Sequence, residues 1–268
     1  MDTMIMTAFD GVPLWALFIA AVVLILASVE AGIRLGKYRR VHSLEEKDAP
    51  LGAMVGAALG LLGFLLAFTF DMAAARFDIR RELIVEEANA IGTTDLRAGL
   101  LPEPHRSRVH EILREYVDVR LLGTEPGKLE QALTRSDQLL EALWAEANAA
   151  GEKNPQVMTS LFIQSANEVI DIHSKRVAAS MNRIPNPIWI SLVLVTILSM
   201  AVLGYHSGID NTHSLPAIFA LVLIFSGVLW LIADLDRPQE GLLKVSQQSL
   251  RDLQYKLKSA PAPQATTK

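Results

Sequence analysis

Cysteine is absent from the 268 residues, which excludes disulfides, thiolate metal sites and cysteine nucleophiles. Charge is sparse as well: 20% of residues are charged against 51% hydrophobic, too apolar for an ordinary soluble domain of this length. Acidic and basic residues are mixed along the polar stretches and sum to −4, so no basic face exists to neutralise a phosphate backbone, and nucleic-acid binding is not expected. No Lys or Arg precedes Arg34. The first apolar block therefore lacks the basic region of a secretory signal and reads as a retained helix. Asp2 rather than Gly follows Met1 and the tail ends Ala-Thr-Thr-Lys, so lipidation signals are missing and anchoring is expected from the spans themselves.

Catalytic patterns are missing too. The six histidines (His42, His105, His110, His173, His206 and His213) form no HExxH, and His105 and His110 would stand about 140° apart on a helix, not on one ligating face. Gly204-Tyr205-His206-Ser207-Gly208 sets a histidine beside a serine without the strand and turn of a nucleophile elbow, and reads as a polar loop. Neither a phosphate-binding loop nor a dinucleotide fingerprint appears. Among Glu82, Glu86, Glu87 and Asp95, helical spacing puts Glu82 and Glu86 on one face in the manner of a solvated stripe. The chain reads as a non-enzyme with no cofactor and no resident metal.

What is present is four apolar blocks. At about 1.5 Å per residue each is long enough to cross a bilayer core of about 30 Å. Spans are expected over about 12–35, 49–72, 187–205 and 215–233. The third follows the helix-breaking Ile184-Pro185-Asn186-Pro187. Short connections, the second with Gly208, Asp210 and Asn211 as turn formers, group the spans into hairpins within residues 1–75 and 186–236. Glu30 and Arg34 lie one turn apart at the end of the first span, positioned to pair.

Between the hairpins, residues 76–185 switch to amphipathic periodicity and form a helical soluble domain. Val109, Ile112, Leu113, Tyr116 and Val117 mark one apolar face, and Leu129, Leu133, Leu140, Leu143 and Trp144 another. A weaker third holds Leu161, Phe162, Val169 and Ile172, with Ser165 inside it and Arg176 at its edge. Breakers at Pro102–Pro104, Gly123–Gly127 and Gly151–Pro155 separate these helices. A C-terminal helix over 237–259 and a disordered tail over 260–268 complete the chain. The fold class is all-α, four membrane helices with a helical domain inserted between the second and third. Basic residues flank the spans on both sides; their balance places the long domain and both termini in the cytoplasm.

The second span carries the most pattern. Gly52, Gly56, Gly60 and Gly63 form one smooth stripe, suited either to packing against the first span or to contact between subunits. Phe64 and Phe68 share a face; in a ring of subunits they would form aromatic belts, a constriction that gates by dewetting, and otherwise they are core packing. Asp71 closes the apolar run, either at a wet pore mouth or at the membrane interface.

The run from Phe64 to Phe77, with Ala67, Phe68, Ala73, Ala75, Arg76 and Phe77 in order, resembles the pore-lining second helix of bestrophins. Glu86-Glu87-Ala88-Asn89-Ala90-Ile91-Gly92 and Leu100-Leu101-Pro102 are similar to the bacterial bestrophin-like family, a likeness running from about Leu51 to Tyr255. It implies a homo-oligomeric, pentameric channel in a bacterial inner membrane, with lipid, further copies of itself and inorganic ions as partners. Phe64 and Phe68 would form its pore constriction and Asp71 its mouth, with Arg76, Phe77, Glu86 and Asn89 as structural residues of the motif. Asp234, Asp236 and Glu240 fall where calcium-gated bestrophins build a clasp; alternatively they are helix-end carboxylates that pair with Arg237 or a neighbouring subunit. Two departures stand out: Asp78-Ile79-Arg80-Arg81 follows Phe77, and the first pore position falls on Gly60. The alternative function is a non-conducting membrane scaffold or sensor whose cytoplasmic helices bind a partner, with Phe64 and Phe68 packed inside their own subunit.

Overall fold

The computed structural model describes residues 12–42, 50–210, 214–238 and 241–259. Eight helices account for most of them: α1 (Leu14–His42), α2 (Leu51–Ala98), α3 (His105–Leu122), α4 (Leu129–Lys153), α5 (Val157–Met181), α6 (Asn186–Asp210), α7 (Leu215–Asp236) and α8 (Gln248–Ser259). Proline opens many of them, since a first-turn residue has no intrahelical partner for its N–H. Pro50 precedes α2, Pro104 precedes α3, and Pro216 lies in the first turn of α7. Four stretches, Leu14–His42, Leu51–Ala98, Val157–Asp210 and Leu215–Asp236, contain runs long and apolar enough to cross a membrane.

The helices form two compact units. The first contains the described residues up to Phe77 together with Met181–Lys244. Its core joins Ile25, Val29 and Ile33 of α1, Leu62, Leu66 and Ala73 of α2, Leu192 and Met200 of α6, and Val222 and Ile232 of α7. α1 packs against α6 and α7. The α1–α6 seam is glycine on both sides: a Cβ added to Gly32 would overlap the Ala201 carbonyl, one on Gly204 the Val29 carbonyl, and one on Gly208 the Ile33 carbonyl. Small residues four apart on each helix let the backbones touch. This overturns the polar-loop reading of Gly204–Gly208: the segment is helical, and Ser207 returns its hydroxyl to the Leu203 carbonyl at 3.0 Å.

One end of this unit is tied by charged residues. Asp236, almost fully buried, accepts the Ile184 amide at 2.9 Å and Arg183 Nε at 3.1 Å. Asp234 accepts the amides of Leu242 and Leu243 at 2.9 and 3.1 Å. Arg237 donates to the Val12 carbonyl at 2.7 Å. The starts of α1 and α6 and the end of α7 are thereby fastened together. The tight return after α7 needs Gly241, whose φ of 118° is left-handed and whose missing Cβ leaves room for the Asp234 carboxylate.

The second unit comprises Asp78–Ser180 and the described residues from Val245 onward. Ile91 of α2, Leu113 and Tyr116 of α3, Leu143 of α4, Phe162 of α5 and Leu250 of α8 share one core. The α3 face expected from periodicity, Val109 to Val117, is buried throughout. Trp144 and Leu161, expected on core faces, lie instead on the rim, and Ala132, Ala147 and Ala166 take the interior positions. Only Gln248–Ser259 of the C-terminal helix expected over 237–259 is helical, because residues 241–243 fold back onto Asp234. The tail over 260–268 and Glu240 lie outside the described residues.

Candidate functional site on the second helix

Along the membrane part of α2 the buried and exposed faces separate cleanly. Val55, Leu62, Leu66, Thr69 and Ala73 turn into the unit. Phe64, Phe68 and Asp71 lie roughly 160° away from that stripe, as a rotation of 100° per residue requires. Phe64 is 58% and Phe68 60% exposed, their ring centroids 4.7 Å apart and tilted by 57°. Among the described residues these aromatics are therefore not packed inside their own chain, contrary to the expectation attached to the scaffold alternative. Asp71, seven residues after Phe64 and three after Phe68, is exposed on the same side.

The glycine stripe is open as well. An added Cβ at Gly56, Gly60 or Gly63 would meet nothing within 4 Å, and one at Gly52 only His206 Nε2 at 3.5 Å. Packing of this stripe against the first span is thus not what the chain uses it for; Ser199 of α6 donates to the Ala58 carbonyl at 3.2 Å beside it. Of the four apolar runs, that of α2 has the smallest share of buried residues. Arg76 and Phe77 are half-buried, Phe77 against the core of the first unit.

In the second unit the motif resolves differently from its sequence reading. Glu86 and Asn89 are exposed, whereas Glu87 is fully buried. Glu87 falls on the inward stripe of Leu83, Ile84, Ala88 and Ile91, and its register along that stripe was the signal available to sequence reasoning. Its carboxylate lies within hydrogen-bond distance of the Tyr116 hydroxyl, 2.8 Å away, is 3.1 Å from Arg120 Nε and is ion-paired with Arg176. Tyr116 Oη is also 3.0 Å from His173 Nδ1, and His173 Nε2 is 3.1 Å from Asp137 Oδ1. Burial pushes the Tyr116 phenol above its usual range, partly offset by Arg120. Burial, reinforced by the Arg120 charge, holds the His173 imidazole below its usual value, while Asp137 pulls it upward. Burial brings Arg176 down to about 10.

Of the calcium candidates, Asp234 and Asp236 are committed elsewhere, spending their oxygens on backbone amides and Arg183. Hard cations need roughly six to eight oxygen ligands, and among the described residues no group of three or more His, Asp or Glu side chains is placed to hold a metal. Glu30 and Arg34 pair at 2.8 Å on the surface, as their spacing suggested.

A family model for the bestrophin-like domain matches residues 16–250. No curated protein sequence matches the chain. Among solved structures, a crystal structure of a bacterial bestrophin homologue from Klebsiella pneumoniae aligns over 89% of this chain and 96% of its own, at 15% identity and a TM-score of 0.63. Point mutants of that homologue align equally well, one with 16% identity, 90% and 97% coverage and a TM-score of 0.64. A second has 15% identity, 91% and 97% coverage and a TM-score of 0.63. At such identity the likeness is one of fold.

Proposed function

Because the chain belongs to the bestrophin-like family, we propose that it assembles as a homo-oligomeric ring, a pentamer, in a bacterial inner membrane and conducts inorganic ions along an axis lined by α2. The supporting observation is the face carrying Phe64, Phe68 and Asp71, which none of the described residues of the same chain covers. A carboxylate facing lipid costs about 2.5–3.5 kcal/mol near the bilayer centre and less toward its edge. A water-filled axis removes that cost and accepts the two phenylalanines as belts. In that ring Phe64 and Phe68 form the constriction, Asp71 the mouth, and the open glycines at 56, 60 and 63 give room for a neighbouring helix. The helical second unit and both termini lie in the cytoplasm.

A constriction of apolar rings opposes ions by excluding water. Removing a ring widens it and lowers that barrier, so Phe68→Ala is expected to raise ion flux through reconstituted protein. The native mass of the detergent-purified protein comes first. Five subunits support recording from wild type and Phe68→Ala in bilayers; a monomer or dimer, or unchanged flux in the variant, overturns the assignment of this face as a pore.

A further inference from the structure

Inside the second unit, the chain Asp137–His173–Tyr116–Glu87 has one fewer proton than its contacts require. Ionised Asp137 and Glu87 only accept hydrogen bonds, Tyr116 carries a single hydroxyl proton, and a neutral imidazole carries a single N–H. With His173 neutral, Nε2–H donates to Asp137 across 3.1 Å and the bare Nδ1 accepts the Tyr116 hydroxyl across 3.0 Å. Glu87 is then held by Arg120 and Arg176. With His173 protonated, both ring nitrogens donate. The Tyr116 oxygen becomes an acceptor, and its proton turns to Glu87 Oε1, 2.8 Å away.

Every element around the ring contributes a charged or titratable group: Glu87 from α2, Tyr116 and Arg120 from α3, Asp137 from α4 and Arg176 from α5 itself. Two carboxylates balance two guanidiniums, so a proton on His173 adds an uncompensated positive charge. Asp137 is 65% exposed while the His173 side chain is 6% exposed, which gives the proton an entry at one end of an otherwise buried path.

We propose that these four residues form a proton-responsive relay: His173 takes up one proton from the Asp137 side, and the Tyr116 hydroxyl rotates from His173 to Glu87, reporting the event on α2. The second unit contains the whole relay, which stands independently of the channel reading. A histidine whose folded pKa is lowered stabilises the fold in its neutral form. That contribution is complete above the unfolded value of about 6.5 and is lost as pH falls through the lower folded value.

The test is magic-angle-spinning NMR of the full chain in lipid nanodiscs, with nitrogen-labelled histidine and carbon labels at the tyrosine phenol carbon and the glutamate carboxyl. Above the usual histidine range, His173 is expected as the Nε2–H tautomer. On acidification the His173, Tyr116 and Glu87 signals are expected to move with one midpoint. In Tyr116→Phe the Glu87 step at that midpoint is expected to vanish while His173 still titrates, with its midpoint lowered. A Glu87 step that survives in Tyr116→Phe, an Nδ1–H tautomer, or a His173 that never titrates overturns the relay. Asp137→Asn, at an exposed position that spares the core, is expected to lower the midpoint; an unchanged or raised midpoint also overturns it.

Discussion

Adjacent glutamates of α2 show how much a single position of helical register decides. Glu86 is solvated and Glu87 is fully buried between Tyr116, Arg120 and Arg176. Truncating Glu87 to Ala would strand two buried guanidiniums, and breaking a buried pair by removing one partner costs about 3–5 kcal/mol. Glu86→Ala, at an exposed site, should stay within about 0.5 kcal/mol of wild type. Denaturant unfolding of the second unit, followed at Trp144 on its rim, separates the two; equal losses would show that Glu87 does not anchor the core. The acidic pair was visible in the sequence, but its structural role was assigned to Glu86 and Asn89. The buried stripe of Leu83, Ile84, Ala88 and Ile91 marks the inward side of α2 and Glu87 falls on it, but the partners that hold its charge, Tyr116 and Arg176, lie far along the chain on α3 and α5.

For the helices as elements, existence and approximate extent were legible from apolar length and from the proline breakers, while packing partners were not. Hydropathy is blind to rotation, and the glycine repeat of α2 at positions 56, 60 and 63 is open among the described residues. The repeat that joins helices here is split between Gly32 and Gly36 on α1 and Gly204 and Gly208 on α6. The α6 half was hidden by Tyr205, His206 and Ser207, polar residues that a helix end accommodates because Ser207 bonds back to Leu203. Forcing a methyl group into a filled seam costs about 1–3 kcal/mol, and more where it meets backbone. Gly204→Ala, whose Cβ would overlap the Val29 carbonyl, should therefore lower the thermal midpoint of the purified protein by several degrees. Gly227→Ala, in α7 and outside the α2 stripe, should not lower it, having nothing within 4 Å and a gain in helix propensity of up to about 1 kcal/mol. A reversed order of the two would mean that α1 and α6 do not meet at these glycines.

For the whole molecule, the family and the four-span fold were readable because bilayer thickness fixes span length and because the Phe64–Phe77 run is distinctive. The role of the exposed face of α2 was not, since one chain contains no neighbour against which such a face is defined. In the proposed ring, five symmetric copies of Asp71 would stand at one level around the axis, just beyond the Phe68 belt. Such a ring raises the local concentration of cations and repels anions. The effect is electrostatic and so must weaken with salt: the screening length is about 10 Å at 0.1 M and about 3 Å at 1 M. Asp71→Asn, nearly isosteric and at an exposed site, is therefore expected to reduce cation conductance most in dilute salt, with wild type and variant converging as salt rises. Bilayer recordings over a salt series provide the measurement. Identical currents at every concentration would place Asp71 away from the conduction path, and the exposed face of α2 would then be a surface for lipid or a neighbouring subunit.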